Sequence, residues 1–270
     1  MVSGENKDSL CKVCGTQTRE AFQAKMLGKY AVSYFSCPTC EYICTEPPHW
    51  LDEAYRRTIN IVDTGIMDRN MHFSKVVSVL LYYFFNGNGT YLDYAGGYGI
   101  FTRIMRDIGF NFYWYDPYCE NLIAPGFEYK KENAGPIDAL TAFEVFEHFV
   151  DPLKEIDKMR QLSKNIIFST ELMPTAVPQP GEWWYYGLEH GQHVSFYSTK
   201  TLRFLAKRFG SNFYSAGGIH IFSERKLPSS IVPLMLRLSK YGLFGITKAI
   251  MQSKTWEDHL NVQTFKRTDS

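Results

Sequence analysis

Four cysteines near the start of the chain are arranged as two pairs that suit a metal ion. Cys11 and Cys14 form one C-x2-C pair, Cys37 and Cys40 form a second, and 22 residues separate the two pairs. Thiolate sulfurs in such pairs are typical ligands of a tetrahedral zinc ion. Four protein ligands leave no open position on the metal, so the pattern predicts a structural zinc. Iron held by the same four sulfurs is the alternative.

A second group of residues with chemical potential is the segment LDYAGGYG at residues 92–99. A strand-like stretch precedes it and a helix-like stretch follows, so it is predicted as a glycine-rich turn between a strand and a helix. Glycines let the backbone approach a ligand closely, and the first amides of the helix are free to bind one. The turn therefore predicts a nucleotide-like ligand, with a tight turn that binds nothing as the alternative.

Acidic residues at the ends of the next two predicted strands belong to the same arrangement. Asp116 lies 19 residues after Gly97, where an acidic side chain commonly holds a ribose diol. Glu144 follows Phe143 at the end of the next strand, in the segment AFEVFEHF. Ligands of open α/β sheets bind at the carboxyl ends of the strands, so these segments should face one crevice.

Taken together, these segments resemble the motifs of class I S-adenosylmethionine-dependent methyltransferases. The resemblance covers roughly residues 75–225, and TAFEVFEHFVDP is similar to the branch that methylates small metabolites and sugars. It implies that S-adenosylmethionine is the cofactor and that Asp116 holds its ribose. It places Asp93 and the glycine loop around the methionine part, bordered by residues 144–148. The cofactor-binding residues implied in this way are Asp93, Ala95, Gly96, Gly97, Gly99, Asp116, Phe143 and Glu144.

The loop departs from the family pattern at one position. Ala95 stands where the family has its first glycine, and an extra Gly96 lies beside it. Alanine is small, so cofactor binding should persist in a loop of different shape. A dehydrogenase is the competing interpretation of this loop, and it requires G-x-G-x-x-G. Gly97-x-Gly99 continues with IFT, which does not fit that pattern.

Residues 181–197, GEWWYYGLEHGQHVSFY, combine histidines, an acid and aromatic rings after a predicted central strand. A hydroxyl group that accepts a methyl group must lose a proton, so a base should lie near it. His193 is the first candidate for that base, and His190 with Glu189 is the reserve. The alternative is that His193 is a buried structural residue that caps the helix predicted from Thr199.

The same segment resembles part of the sugar C-methyltransferases, in which a Glu-His pair precedes a Ser-Tyr-Phe-like stretch. On that match His193 takes the position of the base, whereas Gln192 stands where the family has glutamate. This difference favours O-methylation over C-methylation. A cysteine module followed by such a core is also found in enzymes that methylate nucleotide-linked deoxysugars, so the resemblance implies a sugar or nucleotide sugar as the acceptor.

Three further features have both a functional and a simpler structural interpretation. Glu147 and His148 either border the cofactor or form a solvated helix start. The polar residues 63–70 interrupt an apolar region and could cover the active site, where Arg69 would hold an anionic group or form a surface salt bridge. Cys44 is interpreted as a free buried thiol.

The elements that must position these residues follow an alternating pattern. Strands alternate with helices of about ten residues, which predicts a doubly wound α/β fold with a mostly parallel, seven-stranded, Rossmann-like sheet. A zinc-ribbon-like module occupies residues 1–48 and ends at two prolines. The methyltransferase domain with a helical lead-in spans 49–225, and a helical extension spans 226–270. In the lead-in, the pattern predicts a helix from Trp50 to about Asn70, a break at residues 63–65 and a second helix from about Ser74 to Phe85. In the core, helices are predicted at Ile100–Ile108 and from about Pro152 to Leu162. In the extension, four residues share one face, predicted to pack on the domain or on a second subunit, with a membrane surface as the alternative: Ile231, Leu234, Met235 and Leu238.

Composition restricts the partners of the protein. The formal net charge is +1 over 270 residues, whereas nucleic-acid binding usually needs a basic excess. No apolar run reaches the length of a membrane-spanning helix, and the first ten residues lack the apolar stretch of a signal peptide. The sequence therefore predicts a cytoplasmic protein with a small-molecule substrate, no nucleic acid, no transmembrane segment and a possible homodimeric state.

The leading functional hypothesis is a sugar O-methyltransferase in surface-polysaccharide or related carbohydrate biosynthesis. A C- or N-methyltransferase acting on a sugar or another small metabolite is the second enzyme hypothesis. A non-catalytic zinc-ribbon binding protein with a degenerate core is the alternative from another class. The presence of Asp93, Gly97, Gly99 and Asp116 argues against degeneracy.

Overall fold

The computed structural model describes residues 10–56 and 63–268. Strands in these ranges form two sheets. In chain order they are β1 (Arg19–Met26), β2 (Tyr30–Ser36), β3 (Ile43–Thr45), β4 (Thr90–Tyr94), β5 (Asn111–Tyr115), β6 (Ala139–Phe143), β7 (Ile166–Ser169), β8 (Ser195–Phe196), β9 (Asn212–Ala216) and β10 (Ile219–Ser223). The α-helices are α1 (Leu51–Ala54), α2 (Ile66–Phe84), α3 (Ile100–Ile108), α4 (Lys131–Ala134), α5 (Pro152–Leu162), α6 (Thr199–Arg208), α7 (Ile231–Leu238), α8 (Phe244–Ile250) and α9 (Thr255–Thr268).

The larger sheet has the strand order β5-β4-β6-β7-β10-β9. The first four of these strands are mutually parallel, and β10 runs antiparallel to both of its neighbours. This arrangement confirms the predicted doubly wound α/β fold with a mostly parallel sheet.

The larger sheet has six strands in the described residues, so the predicted number of seven is wrong by one. A segment beside the edge strand β5 makes only an isolated parallel bridge between Trp114 and Glu128. Its two backbone hydrogen bonds measure 2.8 and 2.7 Å. The segment is short because Gly126, with φ +89°, turns the chain just before it, and helix α4 begins just after it.

Apolar side chains cover both faces of this sheet. Successive residues of a strand point to opposite faces, and β7 shows the result. Ile167 packs with residues of α2 and α3, whereas Phe168 packs with residues of α5 and α6. Burial on both sides explains why these strands are continuous apolar runs, as is usual for parallel sheets.

The smaller sheet is antiparallel and contains strands from both the predicted zinc-binding module and the predicted methyltransferase domain. Its order is β1-β2-β3-β8, and β8 comes from the chain after β7. Cys44 in β3 pairs with Ser195 in β8. The cysteine-rich segment is therefore continuous, through one sheet, with the loop that carries the predicted base.

The helix predicted from Trp50 to Asn70 is only partly present. Helix α1 covers four residues of it, and residues 57–62, including Ile59 and Ile61, lie outside the described residues. The predicted break at residues 63–65 is observed, and α2 begins directly after it at Ile66. This helix starts eight residues before the predicted position.

The C-terminal helices pack on the domain with a different face from the predicted one. Val232 and Leu236 of α7 are buried in the core that contains α2, whereas Ile231, Leu234 and Leu238 are 42%, 51% and 38% exposed. The Val232–Leu236 pair has the i, i+4 spacing of one helix face, and its contact with α2 decides which side turns inward. Among the described residues, no helix has both the length and the apolar character needed to cross a membrane.

Candidate active site

A cleft of about 1410 Å³ opens at the carboxyl ends of the parallel strands. Its walls come from the turns after β4, β5 and β6, from the loop that precedes β8, and from α1 and the start of α2. Nearly all of the predicted site residues line it, namely Asp93, Ala95, Gly96, Gly97, Asp116, Phe143, Glu144, Glu189, His190 and His193. Gly99 lies just behind this lining, at the N-terminus of α3.

Asp93 supports the glycine loop from beneath. Its carboxylate is buried and accepts hydrogen bonds of 3.0 Å from the hydroxyls of Thr102 and Thr141. Burial raises the pKa of this carboxyl to about 7, against the lowering effect of the two hydroxyls. A Cβ on Gly96 would lie 2.8 Å from Asp93 Oδ2 and 2.7 Å from the Trp114 ring. The glycine at this position therefore lets the loop lie directly on the carboxylate.

Ala95 stands where the family pattern has a glycine, and its backbone has a conformation that favours glycine. Its φ is +56°, and Gly97 and Gly99 follow with φ values of +54° and +85°. A left-handed conformation costs a residue with a Cβ roughly 1–2 kcal/mol. The loop thus keeps the backbone shape expected of a glycine at residue 95.

Asp116 connects the second strand to the glycine loop. One carboxylate oxygen accepts the amide of Gly97 at 3.0 Å, and the other accepts the amides of Tyr118 and Cys119 at 2.8 and 3.0 Å. These bonds hold the carboxylate at the edge of the cleft, beside the first turn of α3. A carboxylate oxygen has more than one lone pair, so Asp116 retains acceptor capacity for the hydroxyls of a ribose.

Phe143 and Glu144 end strand β6 on the opposite wall of the cleft. The Phe143 ring stacks on Phe73, with centroids 4.5 Å apart. Glu144 has φ +52°, and its Oε1 accepts a hydrogen bond of 2.5 Å from Ser169. Burial and the neighbouring Glu147 raise the pKa of the Glu144 carboxyl to about 7. This turn therefore presents an aromatic ring and a partly desolvated acid to the cleft.

Glu147 is buried and His148 is half-buried in the cleft wall, so the interpretation of a solvated helix start is wrong. They lie in a single 3₁₀ turn, Phe146–His148. Glu147 is fully buried; its Oε2 accepts a hydrogen bond from Thr170, and burial raises its pKa to about 7. Nδ1 of His148 lies 3.1 Å from the carbonyl oxygen of Gln192 and 2.9 Å from the Tyr55 hydroxyl.

His193 and His190 lie on the same wall, on the loop before β8. Nδ1 of His193 lies 2.7 Å from the carbonyl oxygen of Tyr185. Its ring centroid is 5.1 Å from that of His148 and 4.6 Å from that of His190. Burial and the two other histidines hold the pKa of His193 well below its usual range. The lowered pKa favours the neutral form of the ring and also makes it a weaker base.

His193 does not cap the helix that begins at Thr199, contrary to the structural alternative. The helix α6 is capped by Ser198, whose hydroxyl accepts the amide of Thr201 in a capping box. His193 takes no part in that cap. Its partners are instead the cleft-lining aromatic Tyr185 and the two neighbouring histidines.

The predicted cover segment reaches the cleft. Residues 63–66, 69 and 70 line its rim, and Arg69 pairs with Asp63 at 2.5 Å. The Arg69 side chain is 37% exposed and forms the predicted salt bridge, whereas its role in holding an anionic group stays a prediction. Tyr55 was not predicted as a site residue, although it contacts His148. Its sequence neighbours show an ordinary helical pattern, and only the fold brings it to the cleft.

The four paired cysteines converge at the other end of the small sheet. The sulfurs of Cys11 and Cys40 are 3.6 Å apart, and those of Cys14 and Cys37 are 3.3 Å apart. All four lie within 4.8 Å of one another. A tetrahedral zinc with bonds of about 2.3 Å would set its sulfurs about 3.8 Å apart. The four sulfurs therefore have about the spacing needed to bind one metal ion as thiolates. Cys44 is buried as a separate free thiol.

Strand β3 connects this cysteine cluster to the histidine wall. The amide of Thr45, at the end of β3, donates to the carbonyl of Val194 at 3.1 Å. The amide of Val194 donates to the carbonyl of Glu147 at 2.8 Å. The backbone next to His193 is thus held between the cysteine-rich segment and the Glu147 turn.

Comparisons with known proteins agree with this arrangement. A profile described as a methyltransferase domain matches residues 67–216, more than half of the chain. A comparison with curated protein sequences gives no significant match.

Several solved structures are similar at low sequence identity. Magnesium protoporphyrin IX methyltransferase (ChlM) from Synechocystis PCC 6803 with bound SAH has a TM-score of 0.44 and 16% identity, covering 65% of this chain and 94% of that one. An O-methyltransferase family 2 protein from Planctomyces limnophilus DSM 3776, in complex with apigenin, has a TM-score of 0.45 and 14% identity, covering 63% and 60%. CalO1, a methyltransferase in calicheamicin biosynthesis, in its SAH-bound form has a TM-score of 0.41 and 15% identity, covering 63% and 59%.

The profile match spans the glycine loop, the acids that follow β5 and β6, and the histidine loop. These are the segments that the fold brings to one cleft. The chain therefore belongs to the methyltransferase domain family.

Proposed function

We propose that the protein transfers the methyl group of S-adenosylmethionine to an oxygen of a sugar or nucleotide sugar, as a step in carbohydrate biosynthesis. The observation that carries this proposal is that one cleft joins the glycine loop to a wall of histidines and aromatic rings. The glycine loop and Asp93 would hold the methionine part, with Asp116 at the ribose. The acceptor would then approach from the side of residues 184–193.

Methyl transfer is an in-line displacement in which alignment of the two reactants supplies much of the rate. The acceptor oxygen attacks the methyl carbon, and the carbon–sulfur bond breaks with its electrons remaining on sulfur. The hydroxyl proton must leave as the new bond forms. We propose His193 as the general base that accepts it, because its neutral ring lines the acceptor side of the cleft. His190 and Glu189 are the reserve groups on the same loop.

Two features of the cleft favour a sugar bearing an anionic group. Trp184 is 76% exposed at the cleft, beside the buried Tyr185, and exposed aromatic faces suit the apolar sides of a sugar ring. Arg69, Lys154 and Lys158 lie on the rim, where cations can meet a phosphate.

The side chain of Gln192 supports oxygen as the acceptor atom. It is buried, and its Nε2 donates to the carbonyl of Ala54 at 3.0 Å. A carboxamide in this position cannot take up a proton from carbon as a glutamate would. The proposal therefore keeps O-methylation ahead of C- or N-methylation.

We further propose that Cys11, Cys14, Cys37 and Cys40 hold a structural zinc. The support is the compact set of four sulfurs and the absence of any open position in a tetrathiolate site. The segment is short, and such a metal supplies stability that its small core lacks.

The substrate proposal is tested with S-adenosylmethionine carrying a labelled methyl group and a panel of acceptors. We expect label in nucleotide sugars, in an ether linkage that resists mild acid. Free phenols and amines of similar size serve as comparison acceptors. Label that appears only in these comparison compounds, or on carbon, would exclude a sugar O-methyltransferase.

A further inference from the structure

We propose that Glu147, His148 and His193 form a second metal site, which binds a divalent transition-metal cation on the acceptor side of the cleft. This site is separate from the four-cysteine cluster, and no motif in the sequence analysis assigned it. The inference rests on the proposed methyl transfer to oxygen, and it changes the role of His193 from base to metal ligand.

The three side chains already lie at near-ligating separation. One potential ligand atom from each of them lies within 4.8 Å of the other two. A cation with bonds of about 2.1 Å to nitrogen and oxygen would bring these atoms to roughly 3–3.5 Å of one another. Small side-chain rotations suffice for that change. Two imidazoles and one carboxylate are a common ligand set for divalent cations that keep open positions.

One carboxylate oxygen of Glu147 is buried without a hydrogen-bond partner in the described part of the chain. Its Oε2 accepts a hydrogen bond from Thr170, whereas Oε1 is buried and has no hydrogen-bond partner in the described part of the chain. A buried polar atom without a partner is costly. A cation between Glu147 and the two histidines would satisfy this oxygen and neutralise a buried negative charge.

The hydrogen bond of His193 leaves its Nε2 available to a metal. Nδ1 of His193 faces the carbonyl of Tyr185 at 2.7 Å. A carbonyl can only accept, so this Nδ1 carries the proton and Nε2 carries the lone pair. Nδ1 of His148 faces the carbonyl of Gln192 at 3.1 Å and the Tyr55 hydroxyl at 2.9 Å. Donation from Nδ1 to the carbonyl gives His148 the same tautomer, with the Tyr55 hydroxyl as a second acceptor. Metal-binding histidines usually donate their other ring N–H to such a carbonyl, which fixes the ring.

The cation would make the acceptor hydroxyl acidic without a strong base. Bound to the metal, the hydroxyl loses its proton more readily because the cation stabilises the alkoxide. The oxygen then forms the bond to the methyl carbon, the carbon–sulfur bond breaks, and the proton passes to His190 or Glu189. A nitrogen of His193 that binds the cation cannot accept this proton, so the base and ligand roles exclude each other and can be distinguished experimentally.

Manganese distinguishes this site from the cysteine cluster, because Mn²⁺ prefers oxygen and nitrogen ligands over thiolates. The test uses the full chain loaded with one equivalent of zinc and then treated with a mild chelator. Free Mn²⁺ is followed by electron paramagnetic resonance during titration. We expect one Mn²⁺ per chain, with at least 100-fold weaker binding in Glu147→Gln and in His148→Ala. Glu155→Gln, which alters another acid of the cleft wall, should bind Mn²⁺ like the natural protein.

S-adenosylmethionine binding is measured on every variant and shows that each has folded. Turnover should vanish after chelation and return with Mn²⁺. Failure of Mn²⁺ and of a second equivalent of Zn²⁺ to bind at millimolar concentration would overturn the proposal. Equal Mn²⁺ binding in Glu147→Gln would also overturn it. Full turnover without a cation would leave His193 as the base, and absence of methyl transfer under all conditions would instead refute the proposed function.

Discussion

At the scale of single residues, Asp116 has the most sharply defined role. Its two carboxylate oxygens accept three backbone amides from the loops on either side of it. It therefore shapes the cofactor loop in addition to any contact with a ribose. The sequence predicted its position from the spacing to the glycines, but the bond to Gly97 depends on loop geometry that spacing does not reveal.

Substitution of Asp116 by alanine should weaken S-adenosylmethionine binding by about 1.5–3 kcal/mol, because charged hydrogen bonds to the ribose are lost. This corresponds to roughly 10- to 150-fold in the dissociation constant, measured by calorimetry. Asp116→Asn keeps an acceptor for the amides of Tyr118 and Cys119, so it separates loop disorder from lost ribose contacts. An unchanged dissociation constant in Asp116→Ala would refute the assignment.

With His193 as the base, His193→Ala should lower kcat by roughly 10²–10⁴-fold, the usual contribution of a positioned base. With His193 as a metal ligand, the same variant should lose Mn²⁺ binding together with turnover. S-adenosylmethionine affinity should change little, because the ring faces the acceptor side. The measurement is steady-state turnover together with cofactor calorimetry, and the exposed His49→Ala is the matched control. Near-normal turnover, or a variant that does not fold, would show that His193 is structural.

At the scale of elements, local signals and long-range pairings contributed differently to what could be predicted. Helices α3 and α5 have the predicted bounds, because a glycine flanks each end of α3 and Asp151 with Pro152 starts α5. The pairing of β3 with β8 has no local signal, since about 150 residues separate the two strands. Because no local signal links them either, the sequence did not indicate that Glu147 and His148 lie close to His193.

The link through β3 predicts that loss of the cysteine-bound metal reaches the active site. Cys11→Ser or Cys37→Ser should remove about one zinc per chain and destabilise the N-terminal segment by a few kcal/mol. Turnover should fall while S-adenosylmethionine binding is retained, because the β3–Val194 hydrogen bond supports the histidine wall and not the glycine loop. Metal analysis, thermal unfolding and calorimetry measure these effects, with Cys119→Ser as the control for zinc content. A metal-free protein that is fully folded and active would contradict this account.

At the scale of the whole molecule, the C-terminal helices carry many exposed apolar side chains. Periodicity identified α7 as amphipathic, but only its contact with α2 determines which face is buried, and the predicted face turned out to be largely exposed. Large exposed apolar patches usually mark an interaction site. The exposed apolar residues of this surface are Ile231, Leu234, Leu238, Tyr241, Ile246, Ile250, Trp256 and Leu260.

We expect a second copy of the chain to cover this surface, which gives a mass of twice 31.2 kDa in light scattering. The double variant Leu234→Glu, Ile246→Glu should be monomeric, because charges in the interface would lose their hydration. Leu122→Glu, an equally exposed position in another part of the chain, should not change the mass. A monomer that floats with anionic liposomes would show that a membrane surface, and not a second subunit, meets these helices.

The cleft at the carboxyl ends of β4, β5 and β6 is proposed to bind S-adenosylmethionine. Isothermal titration of the folded protein with this cofactor is the decisive measurement. We expect saturable binding of one molecule per chain, with a dissociation constant between roughly 1 µM and 1 mM, the range usual for enzyme substrates. S-adenosylhomocysteine should compete for the same site. Absence of binding at millimolar cofactor, in protein shown by circular dichroism to be folded, would contradict the account.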